Sequence, residues 1–470
     1  MSDKNLAIKF GTDGWRAVIG REYTFGNVAI LSQAVSDYFK KKKKGKLTAV
    51  VGFDTRFLSK EFALEAASVF VANKINVIFS DMAIPTPAIS FAVKYSKADF
   101  GIVITASHNP PEFNGFKIKD DSGGAADVDI TSAVEKNLFK SKVKKIDLSD
   151  KKFKENFKVT NLTDCYRKFL QNYIDLNKIQ NSGLKILVDV MHGSGNGFIR
   201  DCIGGGSIQI HLMREDINPV FDGARPEPLP ENLSVMISRM KAEKFDLGLV
   251  LDGDADRIAA VDSNGEFISP QTILCLLILH LVQDRREKGA IVKTIVGSSL
   301  IDKICQRLKL KLYETPVGFK YISKLMKEED ILIGGEEAGG IGFKNYIPER
   351  DGSLAGLLLL EMLAFRNSNI NQQLVSLEAE YGKFYYTKDS IRLEHIGDFD
   401  LEKIKLPKDI LGKKVVKIDK KDGIKFICSD GSWLMLRGSG TEPIVRVYAE
   451  SATKDEAGKM ISFGKKMIGH

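Results

Sequence analysis

Cysteine is scarce in this chain and poorly spaced for cross-linking. The five, Cys165, Cys202, Cys275, Cys305 and Cys428, lie far apart, none forms a CxxC pair and their number is odd. That argues against a disulfide framework or a zinc site and fits a reducing compartment. Long apolar runs are missing too. The greasiest, Ile273 to Leu279, is too short to span a bilayer and is expected to be a buried helix. The opening MSDKNLAIKF has no apolar stretch of the signal-peptide kind. The expectation is a cytoplasmic protein with no membrane partner. Neither a Walker A pattern nor a GxGxxG fingerprint occurs, so nucleotide binding has no support. A large charge excess is also lacking. A net +8 over 470 residues can help draw an anionic substrate to a cleft, but nucleic acid usually needs a concentrated basic face. The one dense run, Lys40 to Lys44, reads as a solvated helix end with cations at its C-terminus.

A chain of this length makes three or four domains, each able to bury a core. Short β-rich apolar runs recur and are mostly followed by turn residues and then helical periodicity. They include Leu47 to Phe53, Phe100 to Ile104, Leu184 to Val190, Leu247 to Leu251, Ile291 to Val296 and Ile331 to Ile333. Such alternation predicts α/β layering on largely parallel or mixed sheets. Ligands then gather at loops beyond the carboxyl ends of strands, here those after Ile104, Leu251 and Ile333. Polar stretches near 155, the turn Asp262-Ser263-Asn264-Gly265 and a change of character near 380 divide the chain. The expected units are 1–155, 156–265, 266–380 and a smaller 381–470 with strands at 432–437 and 444–449.

Four motifs carry chemistry. Thr105-Ala106-Ser107-His108-Asn109-Pro110 puts a serine at a strand end beside a histidine, with a turn forced by Asn109-Pro110. A serine needs a base, a metal or an electrostatic clamp to act as a nucleophile. The GxSxG elbow of acyl transfer is absent, and an idle serine in a turn is the competing reading. Asp252-Gly253-Asp254-Ala255-Asp256-Arg257 sets three carboxylates at alternate positions, able to converge from one side of an extended loop. Their repulsion is relieved by a hard divalent cation such as magnesium, calcium or manganese. An EF-hand is excluded, because Arg257 and Ser263 stand where its glycine and closing glutamate belong. The competing reading is a solvated acidic turn. Gly335-Glu336-Glu337-Ala338-Gly339-Gly340 can accept hydrogen bonds from polyol hydroxyls, with a surface turn as the equal alternative. Arg437-Gly438-Ser439-Gly440-Thr441-Glu442-Pro443, with Arg446 beyond, can cradle a phosphate or simply close a hairpin.

Together these motifs, with Phe10-Gly11-Thr12-Asp13-Gly14-Trp15-Arg16, resemble the α-D-phosphohexomutase superfamily along essentially the whole chain. The nearest likeness is to bacterial phosphoglucomutase/phosphomannomutase. The resemblance implies four domains around a central cleft: three similar mixed-sheet α/β domains and a smaller C-terminal α+β domain. In order they would carry the phosphoserine, the metal, the sugar and the phosphate. It implies an intramolecular phosphotransferase that interconverts hexose 1-phosphate and hexose 6-phosphate through hexose 1,6-bisphosphate. Ser107 would be the phosphorylated serine, with His108 beside it and Arg16 and Lys117 as nearby basic groups. Asp252, Asp254 and Asp256 would hold Mg2+, with the Ser107 phosphate completing the shell and Arg257 in the same loop. Glu336 would grip sugar hydroxyls and Gly318-Phe319-Lys320 would help to bind substrate. Arg437, Ser439, Gly440, Thr441 and Arg446 would hold the non-reacting phosphate.

The sugar loop departs from the family's usual Glu-x-Ser at Ala338. A lost hydroxyl contact is worth about 0.5–1.5 kcal/mol. The loop also lacks the glutamine and histidine typical of phosphoglucosamine mutases, and Asp254-Ala255-Asp256 differs from their Asp-Gly-Asp. Phosphoglucosamine mutase and phosphopentomutase are the near alternatives, and a non-catalytic phosphosugar-binding paralogue is the alternative of another class. The expected partner is a small phosphosugar, with no nucleic acid, and the chain acts as a monomer or homodimer.

Overall fold

The computed structural model describes residues 8–395, 400–439 and 443–469. It holds four sheets in chain order. The first runs Trp15–Val18, Phe113–Lys119, Phe100–Ile104, Thr48–Phe53, Asn76–Ser80 and Phe157–Thr160. Its last strand pairs in parallel with Asn76–Ser80, so this sheet takes residues just beyond 155. The second runs Phe267–Ile268, Ile258–Asp262, Leu247–Leu251, Lys185–Asp189 and Gln209–Met213. The third runs Leu312–Thr315, Ala290–Thr294, Ile331–Gly335 and Ile341–Phe343. The fourth has six strands, antiparallel throughout, covered by the helix Lys454–Ile468.

One plan recurs in the first three sheets. A fully buried strand with a parallel neighbour is followed at once by an antiparallel return strand. Phe100–Ile104 returns as Phe113–Lys119, Leu247–Leu251 as Ile258–Asp262, and Ile331–Gly335 as Ile341–Phe343. Strands buried on both faces read as continuous apolar runs, which is why these were legible. The loop between each outgoing and returning strand leaves the carboxyl edge, where ligands collect. Those three loops are the ones with the serine, the aspartates and the glutamates. The turn at Asp262–Gly265 joins Ile258–Asp262 to Phe267–Ile268, inside the second sheet.

Two helices are buried nearly all round, Pro270–Leu279 and Gly352–Arg366. A helix apolar on every side needs protein on every side. Gly352–Arg366 packs against Pro270–Leu279 and against strands of the second sheet, which joins the second and third domains in one core. Ser269 caps the first of these helices ahead of Pro270, and Asp351 caps the second. The lysine run is exposed at the end of Phe25–Lys42.

The fourth domain seats on the third through Trp433, Met435 and Tyr448 packed on Ile295 and Val296. Glu450 accepts from the Trp433 indole at 3.0 Å and from the Ser299 amide at 2.8 Å. Among the described residues no helix is long and apolar enough to cross a membrane.

Candidate active site

Ser107 follows the strand Phe100–Ile104 and is wholly buried, with φ +52°. A left-handed serine is uncommon and must be held by its surroundings. Its amide donates to Thr105 Oγ1 at 2.9 Å, and its carbonyl accepts from Arg56 Nη2 at 2.6 Å. So held, its Oγ donates to Asp252 Oδ2 at 2.8 Å and lies 3.3 Å from His108 Nδ1. Asp252 is 145 residues away in the chain.

The aspartate loop is a tight turn and not the extended segment expected. The Ala255 amide donates to the Asp252 carbonyl at 3.0 Å and Ala255 takes φ +56°. The turn, not strand alternation, brings Asp252, Asp254 and Asp256 together, each with a carboxylate oxygen within 4.8 Å of the others. Gly253 lets the turn approach, since a Cβ there would lie 2.6 Å from the Ser107 carbonyl oxygen. All three aspartates are fully buried, and Asp254 Oδ1 and Asp256 Oδ1 have no hydrogen-bond partner. Buried carboxylate oxygens are costly when unpaired. Three close carboxylates with unused oxygens suit a hard cation whose ligands sit at about 2.1 Å. Burial and repulsion from Asp254 and Asp256 push the Asp252 carboxyl well above its usual range, the direction a cation would reverse.

Two buried cations offset the rest of this charge. Lys117 Nζ reaches Asp13 and Asp254 at 2.8 Å and Asp256 at 3.0 Å. Burial opposes its charge, but the three carboxylates outweigh it and lift its pKa well above the ordinary lysine range. Lys117 is therefore a fixed cation and a poor proton acceptor. Arg350 reaches Asp256 at 2.7 Å, Glu336 at 3.3 Å and also Asp13. It thus ties all three α/β domains together. Asp254 accepts in addition from Thr86 Oγ1 at 2.6 Å. His108 is pushed well below the usual histidine range by burial and by Arg257, Arg16, Arg56 and Lys117, so it is neutral. Arg16 donates to Asn109 Oδ1 at 2.8 Å, and Arg257 Nε lies 3.8 Å from Asp256.

Residues 7–145 match the family model described as phosphoglucomutase/phosphomannomutase, alpha/beta/alpha domain I, and residues 164–265 and 269–381 match its domains II and III. Residues 400–462 match its C-terminal domain. The chain belongs to the phosphoglucomutase/phosphomannomutase family. It is thus a member of the α-D-phosphohexomutase superfamily, an intramolecular phosphotransferase by family. It is 30% identical to the phosphoglucomutase/phosphomannomutase of Thermococcus kodakarensis over 98% of each chain. It is 29% identical to a phosphoglucosamine/phosphogalactosamine mutase of Sulfurisphaera tokodaii, again over 98% of each. A crystal structure from Thermus thermophilus, of a protein assigned as a phosphomannomutase, superposes with a TM-score of 0.87 at 31% identity, covering 98% of this chain and 99% of that one.

In this phosphohexomutase the glutamate loop connects to the aspartate loop through Arg350. Glu336 is buried, and burial, opposed by Arg350, raises its pKa to about 7. A Cβ on Gly340 would lie 2.9 Å from Glu336 Oε2 and closer still to Arg350, so only glycine leaves room for this pair. Glu337 turns to another partner, Thr294 Oγ1 at 3.1 Å, and Ala338 is half-buried. Gly318, with φ +127°, precedes the helix Phe319–Glu328 and faces Thr12 of the first domain. Lys320 is half-buried in its first turn, and burial lowers its pKa.

In the fourth domain Arg437 and Arg446 are paired directly across the antiparallel strands Trp433–Gly438 and Ile444–Ser451. Ser439 continues this pairing, its amide donating to Ile444 O at 2.9 Å. Like charges placed directly opposite one another are destabilising, and Asp422 offsets that of Arg437. Gly440 and Thr441 lie outside the described residues. Asp422 joins Arg437 to the third domain by accepting from Arg437 Nε at 2.9 Å and from the Val317 amide at 2.8 Å.

Sequence reasoning did not single out Arg56, Thr86, Arg350 or Asp422, and quoted Asp13 without a role. The partners that bring each into the site lie in other segments of the chain. Only Asp13, inside a quoted motif, carried a local signal.

Proposed function

We propose that this chain is a magnesium-dependent phosphohexomutase acting on glucose and/or mannose phosphates. It converts hexose 1-phosphate to hexose 6-phosphate and back through a phosphoserine at Ser107 and a hexose 1,6-bisphosphate. The observation that carries this reading is the Ser107 Oγ to Asp252 hydrogen bond of 2.8 Å, beside two buried carboxylate oxygens that lack partners. Asp252, Asp254 and Asp256 would hold the cation together with an oxygen on Ser107. When bound, magnesium draws charge from the phosphoryl oxygens during transfer.

The chain's own groups do the rest. Arg437, Ser439, Gly440 and Thr441, with Arg446, take the substrate's own phosphate, and Gly318 and Lys320 line its approach. The free sugar hydroxyl attacks the phosphorus on Ser107. Its O–P bond forms as the P–Oγ bond breaks, the hydroxyl loses its proton and Oγ gains one. His108, neutral and with Nδ1 3.3 Å from Oγ, stands within reach of the reacting oxygen for that exchange. Lys117, Arg16 and Arg257 clamp negative charge. Glu336 grips hydroxyls in both orientations of the bisphosphate, which must turn before it returns the other phosphate to Ser107. Closure of the fourth domain keeps water from the phosphoserine. The location is cytoplasmic, in keeping with five free cysteines.

Intact-mass measurement tests the phosphoserine. A fraction should be heavier by one phosphate, and Ser107→Ala should remove both that fraction and turnover. Full turnover in Ser107→Ala would end the covalent mechanism. The Sulfurisphaera relative favours phosphoglucosamine mutase as a second reading. Comparing kcat/KM for the 1-phosphates of glucose, mannose, glucosamine and ribose separates these, and binding without turnover would mark a non-catalytic paralogue.

A further inference from the structure

The groups that grip the backbone of Ser107 belong to one short loop, Asp54-Thr55-Arg56, after the strand Thr48–Phe53. Arg56 is buried, and its guanidinium meets four carbonyl oxygens, three in the serine loop and one at the start of the returning strand Phe113–Lys119. Nη2 donates to Ser107 O at 2.6 Å and Asn109 O at 2.5 Å, while Nη1 donates to Pro110 O at 2.8 Å and Phe113 O at 3.0 Å. Nε lies 3.4 Å from Asp54 Oδ2. Asp54 in turn accepts from the Arg56 amide at 3.0 Å, from Ser59 Oγ at 2.7 Å and from the Thr105 hydroxyl. Thr105 Oγ1 receives the Ser107 amide. Both peptide groups around Ser107 therefore end on this loop, one directly and one through Thr105. The second domain closes the arrangement, for Phe221 lies 5.0 Å beneath the Arg56 guanidinium.

We propose that Arg56 is a positioning residue for phosphoryl transfer, holding the serine loop in its left-handed form so that Oγ stays aimed at the Asp252 carboxylate. The inference rests on Ser107 as the phosphate carrier. A planar fork with fixed donors can satisfy four carbonyls at once, whereas the single ammonium of lysine cannot. Arg56 takes hold of residue 107 by its carbonyl oxygen, so its grip is the same whether Oγ is free or phosphorylated. It therefore acts in both half-reactions. Released from it, residue 107 relaxes toward ordinary backbone angles and its oxygen leaves the aspartate site, while the groups proposed for the sugar and its distal phosphate stay where they are. The signature is a fall in kcat with KM kept.

The test uses the full chain with Arg56→Lys and Arg56→Ala, and the hexose 1-phosphate of highest kcat/KM as substrate. Arg56→Lys, with an unchanged circular dichroism spectrum, should lose at least about 100-fold in kcat with KM within about threefold, the scale on which a misplaced reacting group is felt. Phosphate gain on Ser107 from glucose 1,6-bisphosphate, followed by intact mass, should slow in step. Methylguanidinium should restore Arg56→Ala at least tenfold and leave wild type unchanged. If Arg56→Ala fails to fold, the lysine variant decides alone. Arg56→Lys within threefold of wild-type kcat, or kcat and KM worsening together, overturns the inference. Turnover by Ser107→Ala would instead overturn the phosphoserine, whereas an inactive Ser107→Ala beside an active Arg56→Lys sinks only the role of Arg56.

Discussion

Replacing Lys117 by methionine should destabilise the protein without metal far more than with it. The lysine is 1% exposed and serves Asp13, Asp254 and Asp256 at 2.8 to 3.0 Å. Removing one partner of a buried ion pair costs about 3–5 kcal/mol, because the remaining charge is left uncompensated. At about 2 °C per kcal/mol for a unit of this size, the melting temperature in EDTA should fall by at least about 6 °C. A divalent cation bound there would supply positive charge to the same Asp254 and Asp256. Loss of the competing ammonium should tighten magnesium binding even as turnover falls. At saturation the stabilisation by ligand differs between the two proteins by RT ln of the ratio of their Kd values, so a hundredfold tightening would recover about 2.7 kcal/mol of the deficit. Melting curves of wild type and Lys117→Met, each in EDTA and in MgCl2, provide the check. An equal deficit in both buffers would refute the placement of the cation on these aspartates.

Three further outcomes are expected. Asp254→Asn should need a much higher Mg2+ concentration for half-maximal turnover, seen in a metal titration after EDTA treatment. Burial raises Glu336 to about 7 from a reference of 4.5, so the folded state prefers the protonated acid and loses stability as pH rises from 4.5 through 7. Glu336→Gln should therefore gain on wild type, by up to about 3 kcal/mol above pH 7 and by nothing below 4.5, in urea unfolding across that range, while its KM for the sugar phosphate worsens. Ala338→Ser should lower KM for the preferred hexose by about twofold to tenfold, the worth of one restored hydroxyl hydrogen bond, as measured by steady-state kinetics.

The layered fold was legible because its central strands are buried on both faces. Leu247–Leu251 and Phe100–Ile104 announce themselves as unbroken apolar runs. The serine, the aspartate trio and the glutamate loop were legible for the same reason, since each follows such a strand. What stayed hidden was the manner of convergence. The aspartates meet through a left-handed Ala255, and nothing in alanine signals that backbone angle. Arg350 draws on Asp13, Asp256 and Glu336, up to 337 residues away, and no local pattern encodes such a meeting. Arg56 sits in a loop whose charged residues look like ordinary surface until the serine loop folds over them.

The seat of the fourth domain limits how the entrance to the site can move. Trp433, Met435 and Tyr448 bear on Ile295 and Val296, and exposing three such side chains would cost roughly 6 kcal/mol at about 2 kcal/mol each. A swing of this domain would then rock upon this greasy bearing and not lift off it. The polar link through Asp422 is the part of the rim that can part cheaply. Arg437, held by that link, would travel with any such movement.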